Sequence, residues 1–170
     1  MAAIPLTEPR PDFLLIGAQK AGTTSLFFDL RAQPGVFIPD EKELCVLLEP
    51  AGDKVRAAYD GYFKAAATGD CRGDCSTDYT KRTEHQEVAK RAFERLGPDL
   101  KLIYVVRDPI QRLLSHHHHR SNEVGGISLE RAIDEWPEIV DNSRYGFQLE
   151  AWLEYFPATA IHVVLSLIHI

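Results

Sequence analysis

The chain has 170 residues, 45% of them hydrophobic and 26% charged, which is enough for one domain with a real core and fits a globular protein rather than a membrane-spanning one. The formal net charge of -6 argues against a nucleic-acid-binding surface, so any anion site must be built locally. Three cysteines, Cys45, Cys71 and Cys75, are an odd number for a disulfide framework and favour a reducing compartment.

Residues 1–11 are proline-rich, with no long apolar run that reads as a signal peptide or membrane anchor. A disordered N-terminal segment and a cytoplasmic location are the expectations. Residues 13–16, Phe-Leu-Leu-Ile, are a short apolar run and predict a buried strand. Residues 17–22 form a loop with Gly17, Lys20 and Gly22, and a helix is expected over 23–32, opening on Thr23, Thr24 and Ser25. Strand, glycine loop and helix together aim backbone N–H groups and a helix N-terminus at one point, where a phosphate fits. Lys20 adds a full positive charge. The order differs from the Walker A pattern, in which lysine follows the second glycine directly; here Lys20 precedes Gly22 by two residues. An ordinary strand-to-helix turn is the bland alternative.

Further along, 36–38 reads as a short extended piece and 39–43 as a polar loop. A helix is expected over 54–64, with Val55, Ala58, Tyr59, Tyr62 and Phe63 on its apolar side. Residues 68–75 are turn-rich and lead into or contain a strand. An amphipathic helix is expected over 83–96, stopped by Gly97-Pro98. A second strong strand, 100–106, runs into Arg107-Asp108-Pro109, where Asp108 suits an N-cap and Pro109 a first helical residue. The helix predicted over 109–119 carries Arg112 and Ser115. An arginine at a strand's C-terminal end and a hydroxyl on the following helix can converge on a second phosphate; a surface Arg107–Asp108 ion pair is the alternative. A loop over 121–126, helices over 128–136 and 143–156, and a third strand over 161–165 complete the reading. Four histidines, 116–119, lie in the helix after Arg107. His116 and His119 share a face there, and packing or an acceptor-cleft role is favoured over a weak metal site.

Two motifs now stand in order. Gly17-Ala18-Gln19-Lys20-Ala21-Gly22-Thr23-Thr24-Ser25-Leu26 resembles the 5′-phosphosulfate loop of sulfotransferases that use 3′-phosphoadenosine 5′-phosphosulfate (PAPS), and Arg107 to Ser115 resembles their 3′-phosphate motif, RDPxxRxxS. The sequence is most similar to the heparan sulfate branch of that family. Lys42-Glu43 stands where the branch has a lysine–glutamate pair, although residues 44–47 replace the aromatics expected after it. Ser76-Thr77-Asp78-Tyr79 resembles its Ser-Pro-x-Tyr segment with Thr77 in place of proline, and residues 143–157 resemble its later helix.

The resemblance implies a three-layer α/β/α domain over 12–165, with a mainly parallel sheet and a P-loop-like sulfotransferase fold. It implies PAPS as co-substrate, PAP as product and no metal, since a sulfuryl group carries less charge than a transferring phosphoryl. The acceptor is expected to be a glycan or a small hydroxylated or amine-bearing molecule. Lys20 would act on the leaving nucleotide and, with Ala21, Gly22, Thr23, Thr24 and Ser25, hold the 5′-phosphate. Arg107 and Ser115 would hold the 3′-phosphate. Glu43 would be the general base, with a histidine of 116–119 as the competing candidate and Lys42 as an orienting group. A nucleotide kinase or other P-loop NTPase is the rival enzyme, and an inactive nucleotide-binding fragment the rival from another class. Family members continue beyond the third strand, whereas residues 166–170 read as a tail foreign to the domain.

Overall fold

The computed structural model describes residues 9–166. Most of the segment expected to be disordered, 1–8, and nearly all of the expected tail, 167–170, lie outside the described residues. The folded body reaches back to Arg10, which donates to the Leu96 carbonyl, and to Pro11, which is buried.

Five strands form one sheet: β1 (Phe13–Gly17), β2 (Val36–Phe37), β3 (Cys71–Cys75), β4 (Lys101–Val106) and β5 (Ile161–Leu165). Their spatial order is β2-β3-β1-β4-β5, and every pairing is parallel. All five residues of β1 are buried, as a central strand covered on both faces requires, and this is why it reads as an unbroken apolar run rather than an alternating one. The helices are α1 (Thr23–Arg31), α2 (Gly52–Tyr62), α3 (Val88–Leu96), α4 (Pro109–Glu123), α5 (Leu129–Glu135), α6 (Glu138–Asp141) and α7 (Tyr145–Leu153). From β1 the chain returns toward the β2 edge, whereas the later connections run toward the β5 edge. With right-handed crossovers, α1 covers one face and the later helices the other. The fold is a three-layer α/β/α arrangement, and the connections diverge at the carboxyl end of β1, the place at which open α/β sheets generally bind ligands.

Two glycines are fixed by close approach. A Cβ on Gly17, whose φ is +151°, would meet the Thr80 Oγ1 at 2.2 Å. That hydroxyl donates to the Ile16 carbonyl at 2.8 Å, so the turn out of β1 is locked against the segment after β3. A Cβ on Gly73 would sit 2.2 Å from the Phe13 ring.

Several boundaries differ from the sequence reading. The helix expected from residue 83 begins at Val88, because the preceding stretch is held by tertiary bonds instead: the Arg82 N–H donates to Gln148 Oε1 at 2.9 Å and its guanidinium to the Phe147 carbonyl at 2.8 Å. Helix α4 runs on to Glu123 through residues expected to be loop. Helix α7 is shorter than expected; Leu153 is 49% exposed while Gln148 is buried. All three cysteines are free thiols. Among the described residues, no helix is long and apolar enough to cross a membrane.

Candidate active site

The loop after β1 is pinned to the neighbouring strand by the Ala18 N–H, which donates to the Val105 carbonyl at 2.8 Å. Lys20 then takes a left-handed conformation, φ 66°, and Gly22 another, φ 104°, which turns the chain into α1. No side chain caps α1. The first intrahelical donor is the Leu26 N–H, bonded to the Gly22 carbonyl, so the amides of Thr23, Thr24 and Ser25 have no intrahelical acceptor. They are the donors an anion would need, and the positive end of the α1 dipole stands behind them. Ala21 and Thr23 are buried under the loop, whereas Thr24 and Ser25 face outward.

Lys20 is half-buried and, among the described residues, its ammonium makes no hydrogen bond or ion pair. Burial pulls its pKa below the usual lysine value; Glu123 works against that shift and Lys42 adds to it. Just past the adjacent strand, β4, Arg107 is likewise half-buried. Its backbone is clamped by Tyr145, whose hydroxyl donates to the Arg107 carbonyl at 2.9 Å, yet its guanidinium has no partner among the described residues. Gly17 and Tyr104 are register partners in parallel strands, and Lys20 and Arg107 each come three residues later. Both cations therefore emerge at the same edge of the sheet. Asp108 accepts from the Gln111 N–H at 2.8 Å as the N-cap of α4, so it caps the helix instead of neutralising Arg107. Ser115 is half-buried on α4.

Arg112 organises the space between these loops, a role the sequence did not reveal. It is fully buried, and its guanidinium donates to the Gln19 carbonyl at 3.1 Å, to the Ser143 hydroxyl at 2.7 Å and to the Ile139 carbonyl. One side chain thus joins α4, the β1 loop and the α6–α7 connection.

Glu43 stands across from Lys20. Its backbone is left-handed, φ 63°, and its N–H donates to the Cys75 carbonyl at 2.8 Å. The carboxylate is ion-paired with Lys42 and accepts from the Thr77 N–H at 2.6 Å and the Thr77 hydroxyl at 3.1 Å. A carboxylate has about four lone-pair sites, so an acceptor hydroxyl can still bond to it. A cavity of about 220 Å³ brings Lys20, Thr23, Thr24, Lys42 and Glu43 together with Gln19, Thr77, Asp78 and His119. Ser25, Arg107 and Ser115 do not line that cavity. Asp78 forms an ion pair with Lys81 at 2.6 Å.

The histidine run divides by helical phase. His119 lines the cavity, with Glu123 at 3.5 Å. His117 bonds to the Ile127 carbonyl at 2.8 Å, and His118 lies against Asn122. His116, one of the four histidines that compete with Glu43 as base, points inward onto the Arg112 guanidinium and is 6% exposed. Burial, reinforced by Arg112, Lys81, Arg120 and Lys20, pulls its pKa down to about 3. It is therefore neutral at physiological pH and shut away from any acceptor. Among the described residues, no group of three or more His, Cys, Asp or Glu is arranged to hold a metal ion.

A stability prediction follows from His116. In the unfolded chain it titrates near 6.5, whereas folded it resists protonation down to about 3. Acid therefore favours the unfolded state: stability should fall by about 1.4 kcal/mol per pH unit through this window. Urea midpoints at several pH values should drop more steeply for the natural chain than for His116→Gln, whose amide accepts from Arg112 without titrating. Parallel slopes would show that His116 is not responsible.

No family model matches the chain. It is 28% identical over 157 residues to heparan sulfate glucosamine 3-O-sulfotransferase 6 of Mus musculus, covering 86% of this chain and 44% of that protein. It is 24% identical over 172 residues to the bifunctional heparan sulfate N-deacetylase/N-sulfotransferase 4 of the same organism, covering 91% of this chain and 20% of that one. The chain is thus similar, over most of its own length, to heparan sulfate sulfotransferases. It spans less than half the length of these two relatives. A crystallised sulfotransferase from Alicyclobacillus acidocaldarius superposes with a TM-score of 0.77 at 23% identity, covering 92% of this chain and 73% of that one, which establishes the shared α/β fold.

Gln19, Thr77 and Asp78 complete the cavity without having been singled out from the sequence for roles in it. Thr77 and Asp78 lie in a segment whose family likeness was noted, and that likeness was the available signal. His119 was one of four identical neighbours, and only the phase of α4 separates it from His116.

Proposed function

We propose that this domain transfers the sulfuryl group of PAPS to a hydroxyl or amine of a glycan acceptor. The observation that carries the reading is the pair of cations, Lys20 and Arg107, unpartnered among the described residues, at one edge of the sheet beside the amides of α1 that lack an intrahelical acceptor. One bisphosphorylated nucleotide accounts for both: the 5′-phosphosulfate on Lys20 and residues 21–25, the 3′-phosphate on Arg107 and Ser115. Heparan sulfate in the names of the relatives supports a carbohydrate acceptor.

In the reaction Glu43 accepts the proton of the acceptor O–H or N–H as the acceptor atom attacks sulfur. The bond from sulfur to the 5′-phosphate oxygen breaks, and PAP leaves with that electron pair. Lys20 donates to the oxygen on which charge develops, an interaction stronger in the transition state than before it. Lys42, paired with Glu43, orients the carboxylate or the sulfonate. With three free thiols, a reducing compartment such as the cytoplasm is part of the same proposal.

Titration calorimetry tests the nucleotide assignment. PAP should bind more tightly than ADP, and Arg107→Ala should weaken PAP by about 10- to 100-fold, the cost of losing a charged hydrogen bond, while leaving ADP nearly unchanged. Equal affinity for the two nucleotides, or magnesium-dependent ATP binding, would instead favour a nucleotide kinase.

A further inference from the structure

Asp74 is a fully buried carboxylate in β3, one strand away from the β1 loop, and the reaction above makes no use of it. Its Oδ2 accepts from the Tyr59 hydroxyl at 2.9 Å and the Tyr79 hydroxyl at 2.6 Å, and its Oδ1 from the Ser76 hydroxyl at 2.7 Å. A hydroxyl has one proton and two lone pairs. With their protons committed to Asp74, Ser76 and Tyr79 offer only lone pairs to their other neighbours. Both offers are taken up by the segment that carries Glu43. The Cys45 N–H donates to Ser76 Oγ at 2.9 Å, and the Leu47 N–H donates to the Tyr79 hydroxyl oxygen at 3.2 Å.

That segment needs holding. Glu43 and Cys45 both have left-handed backbones, φ 63° and 54°, conformations that non-glycine residues keep only when their surroundings enforce them. The Glu43 N–H is tied to the Cys75 carbonyl and its carboxylate to the Thr77 N–H, so the residues on either side of Ser76 grip Glu43 directly. Ser76 and Tyr79 grip the residues that follow it.

We propose that Asp74 is a positioning residue: by fixing the proton directions of Ser76 and Tyr79, it makes both hydroxyls acceptors for the backbone of residues 45 and 47 and so holds the Glu43 carboxylate toward Lys20. The inference rests on the reading of Glu43 as the base. An asparagine at 74 keeps the shape but substitutes an NH₂ donor for one acceptor oxygen. A facing hydroxyl must then turn its proton away from residue 74 and accept from the new donor, so its direction, and with it the bond from the backbone amide, is no longer fixed.

Two measurements on Asp74→Asn in the full-length protein separate the inference from the function it rests on. First, amide exchange at Cys45 and Leu47 should accelerate about tenfold or more, while PAP affinity, set at the β1 and β4 loops, stays within about twofold. Second, kcat should fall about tenfold with KM for PAPS little changed, and adding Asp74→Asn to Glu43→Gln should cost nothing further, since the two act through one group. Unchanged exchange at both amides, or losses that multiply in the double variant, overturns the proposal. Should Asp74→Asn fail to fold, Tyr79→Phe is measured instead: faster exchange at Leu47 alone supports the inference, and unchanged exchange there sinks it. If the natural protein turns over no PAPS, the enzymatic reading fails, and the exchange results still decide whether Asp74 holds the loop.

Discussion

Replacing Lys20 by methionine is expected to lower PAPS turnover by about 10²- to 10³-fold, the usual effect of removing one donor aimed at developing charge. Methionine keeps much of the side chain's length and apolar stem, and the left-handed backbone at this position is equally strained for either residue. Among the described residues the lysine ammonium has no hydrogen bond or ion pair to lose, so the folded state should be little affected. Burial already disfavours the charge that methionine removes, and Lys42 adds to that strain. The thermal midpoint should therefore stay level or rise while activity falls. Single-turnover kinetics with saturating PAPS provide the test, because they separate the chemical step from PAP release. If Lys20 only binds nucleotide, KM for PAPS will rise and the single-turnover rate will survive; if it stabilises the leaving oxygen, the rate itself will drop.

The parts of this site that lie close together in the chain were legible in the sequence. The apolar run 13–16, the glycines at 17 and 22, the lysine at 20 and the hydroxyls that open α1 are neighbours, and their chemistry is local: a strand, a turn that tolerates positive φ, and an uncapped helix end. The Asp108 cap and Pro109 at the head of α4 were legible for the same reason. What local pattern cannot encode is convergence. Arg112 looks like one more polar residue on a helix, yet it is fully buried because three elements distant in sequence place two carbonyls and a hydroxyl around it. Asp74 sits in the unpromising stretch Cys-Arg-Gly-Asp-Cys, and only the approach of α2 and of residues 76–79 supplies the hydroxyls that make its burial tolerable. The start of α3 was misplaced because Arg82 finds its partners on α7, which outweighs the helical propensity of residues 83–87. Four identical histidines gave no basis for choosing among them until the length and phase of α4 were known.

Glu43→Gln is expected to reduce kcat by about 10²- to 10⁴-fold, the range for removing a positioned general base, with KM for PAPS nearly unchanged because the nucleotide loops are untouched. The substitution preserves shape, and the Thr77 N–H and hydroxyl can still bond to the amide oxygen, so the left-handed turn at residue 43 keeps its anchors. The ion pair with Lys42 is lost, but the carboxylate side chain is 35% exposed. A partly solvated pair of this kind contributes about 1 kcal/mol at most, so the melting shift should be small beside the loss of rate. His119 lines the same cavity and is the competing proton acceptor. The two differ in what their removal does to the pH profile. If the carboxylate takes the proton, His119→Gln should leave the shape of the kcat profile between pH 5 and 8 intact and lower its height less than Glu43→Gln does. If the imidazole takes it, a limb of that profile should vanish with His119→Gln, because histidine is the side-chain type whose protonation shapes such profiles near neutral pH. His116 cannot supply such a limb: buried against Arg112, with its pKa held down at about 3, it stays neutral throughout the range in which either candidate base works.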